Sequence, residues 1–295
     1  MQLATSTNIM DRIGDLFGAI SPEDCIICCK ECGFDTMDYN FCDQGCEGRP
    51  MAQDSWKEYL QSFKAFADSH GVLFSQAHLH IYDPADTGVA NHEWEQELLK
   101  RSLEGTGILR SAWAVAHPLR VIREGFTHNN YLQANLDFYG PMVERAKQLN
   151  FGISFENMIE EEGRDSYCCN AEDLVELVKA FHMPNVGVNW DFGHANISAP
   201  DQTTELKKLG KWLVSTHIAD NFGDRDAHVA PYYGNINWEE LMRTLARIGY
   251  EGNFTYEVHA FTSALPRELR ESQVKHLVDI GRYLIAVYDG ERAKL

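Results

Sequence analysis

The sequence predicts a single (β/α)8 barrel over residues 1–295. Three observations carry this. Short apolar runs alternate with longer amphipathic segments along the whole chain, the pattern of parallel strands joined by helices. The short runs number eight, the strand count of a closed barrel. No linker or low-complexity stretch interrupts the alternation, so no domain boundary is expected. An open doubly wound sheet would carry a glycine-rich turn after its first strand, and the stretch "STNIMDRIG" found there is not one.

In order, the strands are read as "QLATST" (2–7), "FDTMDYN" (34–40), "VLFSQAHL" (72–79) and "SAWAVAH" (111–117). "GISFEN" (152–157), "VGVNWD" (186–191), "LVSTHIA" (213–219) and "NFTYEVH" (253–259) complete the set. Each is a short run rich in apolar and β-branched residues. Helices are expected between them, for example over 55–70, 130–150, 171–182, 237–250 and 267–289. Ser21-Pro22 with Asp24 opens the first helix and Gly33 closes it. Asn170, followed by Glu172 and Asp173, places acid in the first turn of another, where it suits the helix dipole. Gly249 and Gly252 bracket the entry to the last strand.

The bulk composition fits. A chain of 295 residues with 44% hydrophobic content has ample material for one core on the roughly 250-residue scale of such barrels. Net charge is −18, from 44 acidic against 26 basic residues. That balance argues against nucleic acid as a partner, because binding it requires Lys and Arg to neutralise phosphates. No apolar run approaches the roughly 18–20 residues of a membrane span. The opening "MQLATSTNIMDRIG" lacks a basic start followed by an apolar stretch. A soluble, cytoplasmic protein with no membrane partner is the expectation.

Cys25, Cys28, Cys29 and Cys32 in "CIICCKEC" contain two C-x-x-C spacings. The same spacing is one face of an amphipathic helix, and no Gly or Pro supplies the turn of a zinc knuckle. Thiols packing a helix onto the core are expected here, and Cys42, Cys46, Cys168 and Cys169, which show no partner pattern, are expected to be free.

Barrel active sites lie at the C-terminal ends of the strands. His78 falls at the end of the third strand, His117 of the fourth, Glu156 of the fifth, Asp191 of the sixth, His217 near that of the seventh and Glu257 of the eighth. His194 lies just past the sixth, and Asp226 and His228 follow in the loop after the seventh. A lone His at a strand end is usually a hydrogen-bonded structural residue, and a lone Glu is usually solvated. Their joint occurrence on one rim is different. A ring of carboxylates in a concave site repels itself unless a cation is bound. A divalent metal at Asp191, with His194 beside it, is the reading of "NWDFGHAN".

The chain resembles the xylose isomerase-like TIM-barrel superfamily, through "SQAHL", "AHP", "FEN", "DFGH", "STHIADN", "DRDAHVAPYYGNINW" and "YEVH" taken in this order. That superfamily holds sugar and sugar-phosphate isomerases, epimerases, inosose dehydratases and endonuclease IV-type DNA repair enzymes. The isomerase and epimerase branch implies one divalent ion (manganese, cobalt, magnesium or zinc), with Glu156, Asp191, His217 and Glu257 as ligands and His194 contacting substrate. It implies a sugar or sugar-derivative substrate whose carbonyl the metal polarises. Glu156 and Glu257 are then the acid/base pair that moves a proton through an enediolate. Dehydration of an inosose uses the same enolisation. The endonuclease IV-type branch implies two or three zinc ions and phosphodiester hydrolysis. Its ligands would be His78 and His117 with Glu156, then Glu156, Asp191, His217 and Glu257, then His194, Asp226 and His228. Arg225 is a candidate for a substrate phosphate or hydroxyl, and Tyr232 or Tyr233 for stacking on a sugar face. The usual Pro-Gly pair of that loop is Pro231-Tyr232 here. Relatives of this kind suggest a homo-oligomer. A barrel that binds a sugar or metal without catalysis is a third class, which the complete acid/base set disfavours.

Overall fold

The computed structural model describes residues 1–10, 12, 18 and 20–295; part of the "STNIMDRIG" stretch lies outside them. The first half of the chain forms β1 (Leu3–Ser6), α1 (Pro22–Cys32), β2 (Thr36–Asn40), a short α2 (Phe41–Gln44), α3 (Trp56–Ser69), β3 (Phe74–His78), α4 (His92–Leu109), β4 (Trp113–Ala116) and α5 (His128–Gln148). The second half forms β5 (Gly152–Glu156), α6 (Ala171–Ala180), β6 (Val186–Asp191), α7 (Phe192–Ser198), α8 (Gln202–Leu209), β7 (Leu213–His217), α9 (Trp238–Ile248), β8 (Phe254–Tyr256), α10 (His259–Ser263) and α11 (Arg267–Arg292). All eight expected strands are present; β6 matches its run and the other seven are shorter, because flanking residues leave the sheet for loops or short helices.

The strands form one parallel sheet in the order β7-β6-β5-β4-β3-β2-β1-β8. A parallel bridge between Ile218 and Tyr256 brings the β7 and β8 ends together, so the sheet is a nearly closed barrel. The helices pack around it, and β1, β2, β5, β6 and β8 are buried along their whole length. This is why the strands read as continuous apolar runs rather than alternating ones. Contact between layers is close. A Cβ on Gly281 of α11 would come within 2.4 Å of Leu3 of β1, so only glycine lets this helix sit down on that strand.

Local chemistry sets the boundaries. Ser21 accepts from Asp24 N at 3.1 Å to open α1, and Gly33 closes the helix at φ 113°. Asn170 caps α6 by accepting from Asp173 N at 3.0 Å. On α1, Cys25, Cys29 and Cys32 face the core, and all eight cysteines are free thiols. Helix α4, capped by Asn91, buries Leu98, Leu99 and Leu103 between β3 and β4. No helix among the described residues is long and apolar enough to cross a membrane.

Candidate active site

The barrel carries its inward polar residues at one end. Glu156, Asp191 and His217 are the last residues of β5, β6 and β7, and His78 is the last of β3. His117 and Glu257 lie one residue past β4 and β8. Parallel pairing puts Glu156 level with Asn189 and Asp191 level with His217, so neighbouring strand ends aim at one point. The site residues expected from the sequence, Arg225 and Tyr232 apart, gather into groups whose ligating atoms lie within 4.8 Å of one another. Those groups are Glu156, Asp191, His217 and Glu257; His78, His117 and Glu156; His78, His217 and Glu257; and His194, Asp226 and His228.

The central four are held by hydrogen bonds from behind. His217 Nδ1 is 2.5 Å from Glu156 Oε1 and 3.5 Å from Glu257 Oε2. Its Nε2 lies 3.0 Å from Asp38 Oδ2, which also accepts from Gln76 Nε2 at 2.9 Å. Asn189 Nδ2 donates to Glu156 Oε1 at 2.9 Å. On its other oxygen Glu156 meets His117 Nε2 at 2.9 Å and His78 Nε2 at 3.5 Å. Burial alone would push the Glu156 carboxyl up, but the imidazoles of His217, His117 and His78 outweigh it and hold it well below the usual range.

Asp191 Oδ1 accepts from His194 N at 2.7 Å and so caps α7. Its Oδ2 is buried and has no hydrogen-bond partner among the described residues. Burial, together with the nearby charges of Glu156, Asp226 and Glu257, raises the Asp191 carboxyl to about 6 against the pull of His194. Asn157 locks the strand end, donating Nδ2 to Asp191 O at 2.9 Å and accepting from Asp191 N at 2.6 Å. It also fixes His194, whose Nδ1 lies 2.8 Å from Asn157 O and whose Nε2 lies 3.4 Å from Asp226 Oδ2.

These residues could hold a divalent cation. Three carboxylates and one imidazole converge, one carboxylate oxygen is buried and unpartnered, and no Lys or Arg is among them. The second group shows similar crowding, with His78 Nε2 and His117 Nε2 only 3.2 Å apart. In the third, Asp226 Oδ2 lies 2.7 Å from His228 Nε2, and Asp226 raises the His228 imidazole, against the pull of burial, to about 9.

The loop after β7 is pinned by Asp220. Its carboxylate accepts from Tyr232 N at 3.0 Å, Ile236 N at 3.2 Å and Trp238 Nε1 at 2.8 Å. A Cβ on Gly234 would fall 2.2 Å from Asp220 Oδ1, so the loop closes over this carboxylate only with glycine there.

A cavity of about 480 Å³ opens above the central group. Neither Arg225 nor Tyr232 is among its lining residues. Arg225 is exposed, and Tyr232, at φ 73°, turns outward and donates its hydroxyl to Glu239 Oε1 at 3.0 Å. Residues the sequence did not single out take those places. Asn8, Arg12, Asn40, Cys42 and His259 line the cavity. The His259 ring lies 4.0 Å from that of His228, tilted by 35°, and burial beside the His228 charge pushes its imidazole down to about 2.

The model of the xylose isomerase-like TIM barrel family matches residues 28–279, from the middle of α1 to α11. The chain belongs to this family. The family match spans all of the metal-type rim residues. The chain is 31% identical over 217 residues to an uncharacterized protein of Methanocaldococcus jannaschii, covering 72% of each. It is 21% identical over 242 residues to a ketose 3-epimerase of Arthrobacter globiformis, covering 80% of this chain and 76% of that protein. Among solved structures, a D-tagatose 3-epimerase-like protein superposes with a TM-score of 0.73 over 99% of both chains at 22% identity, a likeness of fold.

Proposed function

We propose that the protein is a divalent-metal-dependent sugar epimerase or isomerase. The observation that carries this is the convergence of Glu156, Asp191, His217 and Glu257 within 4.8 Å, beneath a polar cavity wide enough for a sugar. The likeness to a ketose 3-epimerase and to a D-tagatose 3-epimerase-like protein supports the substrate class.

A divalent ion held by those four residues would polarise a substrate carbonyl and offset the charge that develops beside it. The two glutamates then move the proton. Glu156 already accepts hydrogen bonds from Asn189 and from imidazoles on both oxygens, which weakens it as a base. Glu257 meets His217 Nδ1 only at 3.5 Å and His228 Nδ1 at 3.8 Å, so its carboxylate carries fewer donors. Glu257 therefore takes the proton from the carbon next to the carbonyl. Glu156, from the other side, relays one drawn from the His78 imidazole on its far oxygen and replaced from solvent, while Glu257 sheds the one it took. Return to the opposite face of the same carbon gives an epimer, and return to the adjacent carbon gives an isomer. His194, oriented by Asn157 and Asp226, presents Nε2 to a substrate hydroxyl. Loss of a neighbouring hydroxyl after the first proton transfer would make the same site a dehydratase.

A second reading rests on a specific observation. His78 and His117 with Glu156, and His194, Asp226 and His228, are also grouped for cations. A site holding two or three zinc ions would activate water for phosphodiester hydrolysis. The −18 net charge opposes a nucleic-acid substrate, so this reading stands second.

The test is a panel of free ketoses incubated with metal-supplemented protein in deuterated water. Deuterium appearing at the carbon beside the carbonyl, with a new epimer or isomer, supports proton transfer. A silent panel alongside hydrolysis of a phosphodiester probe would move the second reading to first place.

A further inference from the structure

The cavity is lined by four carboxylates, five imidazoles and one guanidinium, besides neutral side chains. Asp43, Glu156, Asp226 and Glu257 line it, and Arg12 is the single Lys or Arg among its lining residues. Arg12 is half-buried, and its guanidinium has no ion-pair or hydrogen-bond partner among the described residues. Other arginines withdrawn from solvent are matched. Arg120 meets Glu161 at 2.6 Å, and Arg101 donates to Glu97 at 3.0 Å. Among the described residues, this guanidinium at the cavity wall has no direct counter-charge.

The residues beside it are also unfinished. Asn8 is 5% exposed and lines the same cavity, and its Oδ1 is buried with no hydrogen-bond partner among the described residues. Its Nδ2 lies 3.4 Å from His259 Nδ1, a long contact. Strands β1 and β8 pair directly, which brings the loop carrying Asn8 and Arg12 against the start of α10 carrying His259. The result is a corner with a guanidinium fork, an amide with spare capacity and an imidazole. A guanidinium binds carboxylate or phosphate through two parallel N–H bonds, which no neutral hydroxyl reproduces.

We propose that Arg12, with Asn8 and His259, forms a subsite for an anionic group, a phosphate or a carboxylate, on the part of the sugar that does not react. This rests on the sugar reading above and narrows its substrate class to anionic ketoses. A bound anion would supply the counter-charge that no described residue does.

The experiment is calorimetric titration of the metal-loaded protein with D-fructose, D-fructose 6-phosphate and D-fructuronate, which share a ketose head and differ at one end. At least one anionic ketose should bind about tenfold or more tighter than fructose, and which one does separates phosphate from carboxylate. Arg12→Gln should bring that ratio towards one, while Arg12→Lys, which keeps the charge and loses the fork, should retain part of it. Equal binding of all three, binding of none, or an unchanged ratio in Arg12→Gln would overturn the subsite. Deuterium exchange on the same probes separates the two claims. An Arg12-dependent preference without exchange removes the epimerase and leaves the subsite, and exchange without preference does the reverse.

Discussion

His217 is held between Asp38 and the two glutamates, with Nε2 3.0 Å from Asp38 Oδ2 and Nδ1 2.5 Å from Glu156 Oε1. A carboxylate behind an imidazole takes its N–H and so leaves the opposite nitrogen's lone pair facing forward, the arrangement that orients histidine ligands. Asp38→Asn should therefore lower divalent-cation affinity about 10- to 100-fold with the circular dichroism spectrum unchanged. A competition titration against a fluorescent chelator reads this, and unaltered affinity would reduce Asp38 to a packing residue.

Removing either glutamate's charge should stop proton transfer. Glu156→Gln and Glu257→Gln are each expected to slow deuterium exchange into substrate by about 100- to 10,000-fold with the barrel folded. His117→Ala, which touches only the far oxygen of Glu156, should cost far less than either. Substantial exchange in either glutamine variant would sink the acid/base assignment, and a His117→Ala loss as deep as theirs would favour more than one cation.

The metal-free protein should lose stability as pH rises. Asp191 sits at about 6 when folded against about 3.9 unfolded, so the folded state binds its proton more tightly and stability falls between these values. His228 sits at about 9 when folded against about 6.5 unfolded. Its contribution is complete below the unfolded value and is lost as pH climbs through the folded one. Both signs agree, and His259, held down at about 2, opposes them only below its unfolded value of about 6.5. The Tm with chelator should therefore drop from pH 6.5 to pH 9, and added divalent cation should raise Tm more at pH 9 than at pH 6.5. A chelated protein whose Tm rises over this range would contradict the charge distribution.

Asp220 governs the loop that carries Asp226 and His228. Asp220→Ala strands the N–H groups of Tyr232, Ile236 and Trp238, which predicts a loss of about 2–4 kcal/mol in urea denaturation. A change under about 0.5 kcal/mol would mean that the loop is held by something else.

The strands were legible because parallel strands covered on both faces are apolar throughout, and the strand-end rule then placed Glu156, Asp191 and His217 correctly. Asp38 was not legible for the converse reason. It lies inside the run "FDTMDYN", and its partner is 179 residues away, so only the closed barrel shows that the two meet. Asn8, Arg12 and His259 lie beyond strand ends, where side-chain direction depends on loop path and carries no periodic signal. Tyr232 illustrates the same point in reverse. Its place in the "PYYG" loop drew it towards the site, but its positive φ and the Asp220 anchor turn the ring outward.

The central claim is a single divalent cation at Glu156, Asp191, His217 and Glu257, and metal content per chain tests it most directly. Mass spectrometry of protein purified without chelator or metal-affinity tag should find about one manganese, cobalt or magnesium ion per chain, lost on Asp191→Ala. Two or three zinc ions per chain would contradict it, making ligands of His78, His117, His194, Asp226 and His228 and turning the site towards hydrolysis.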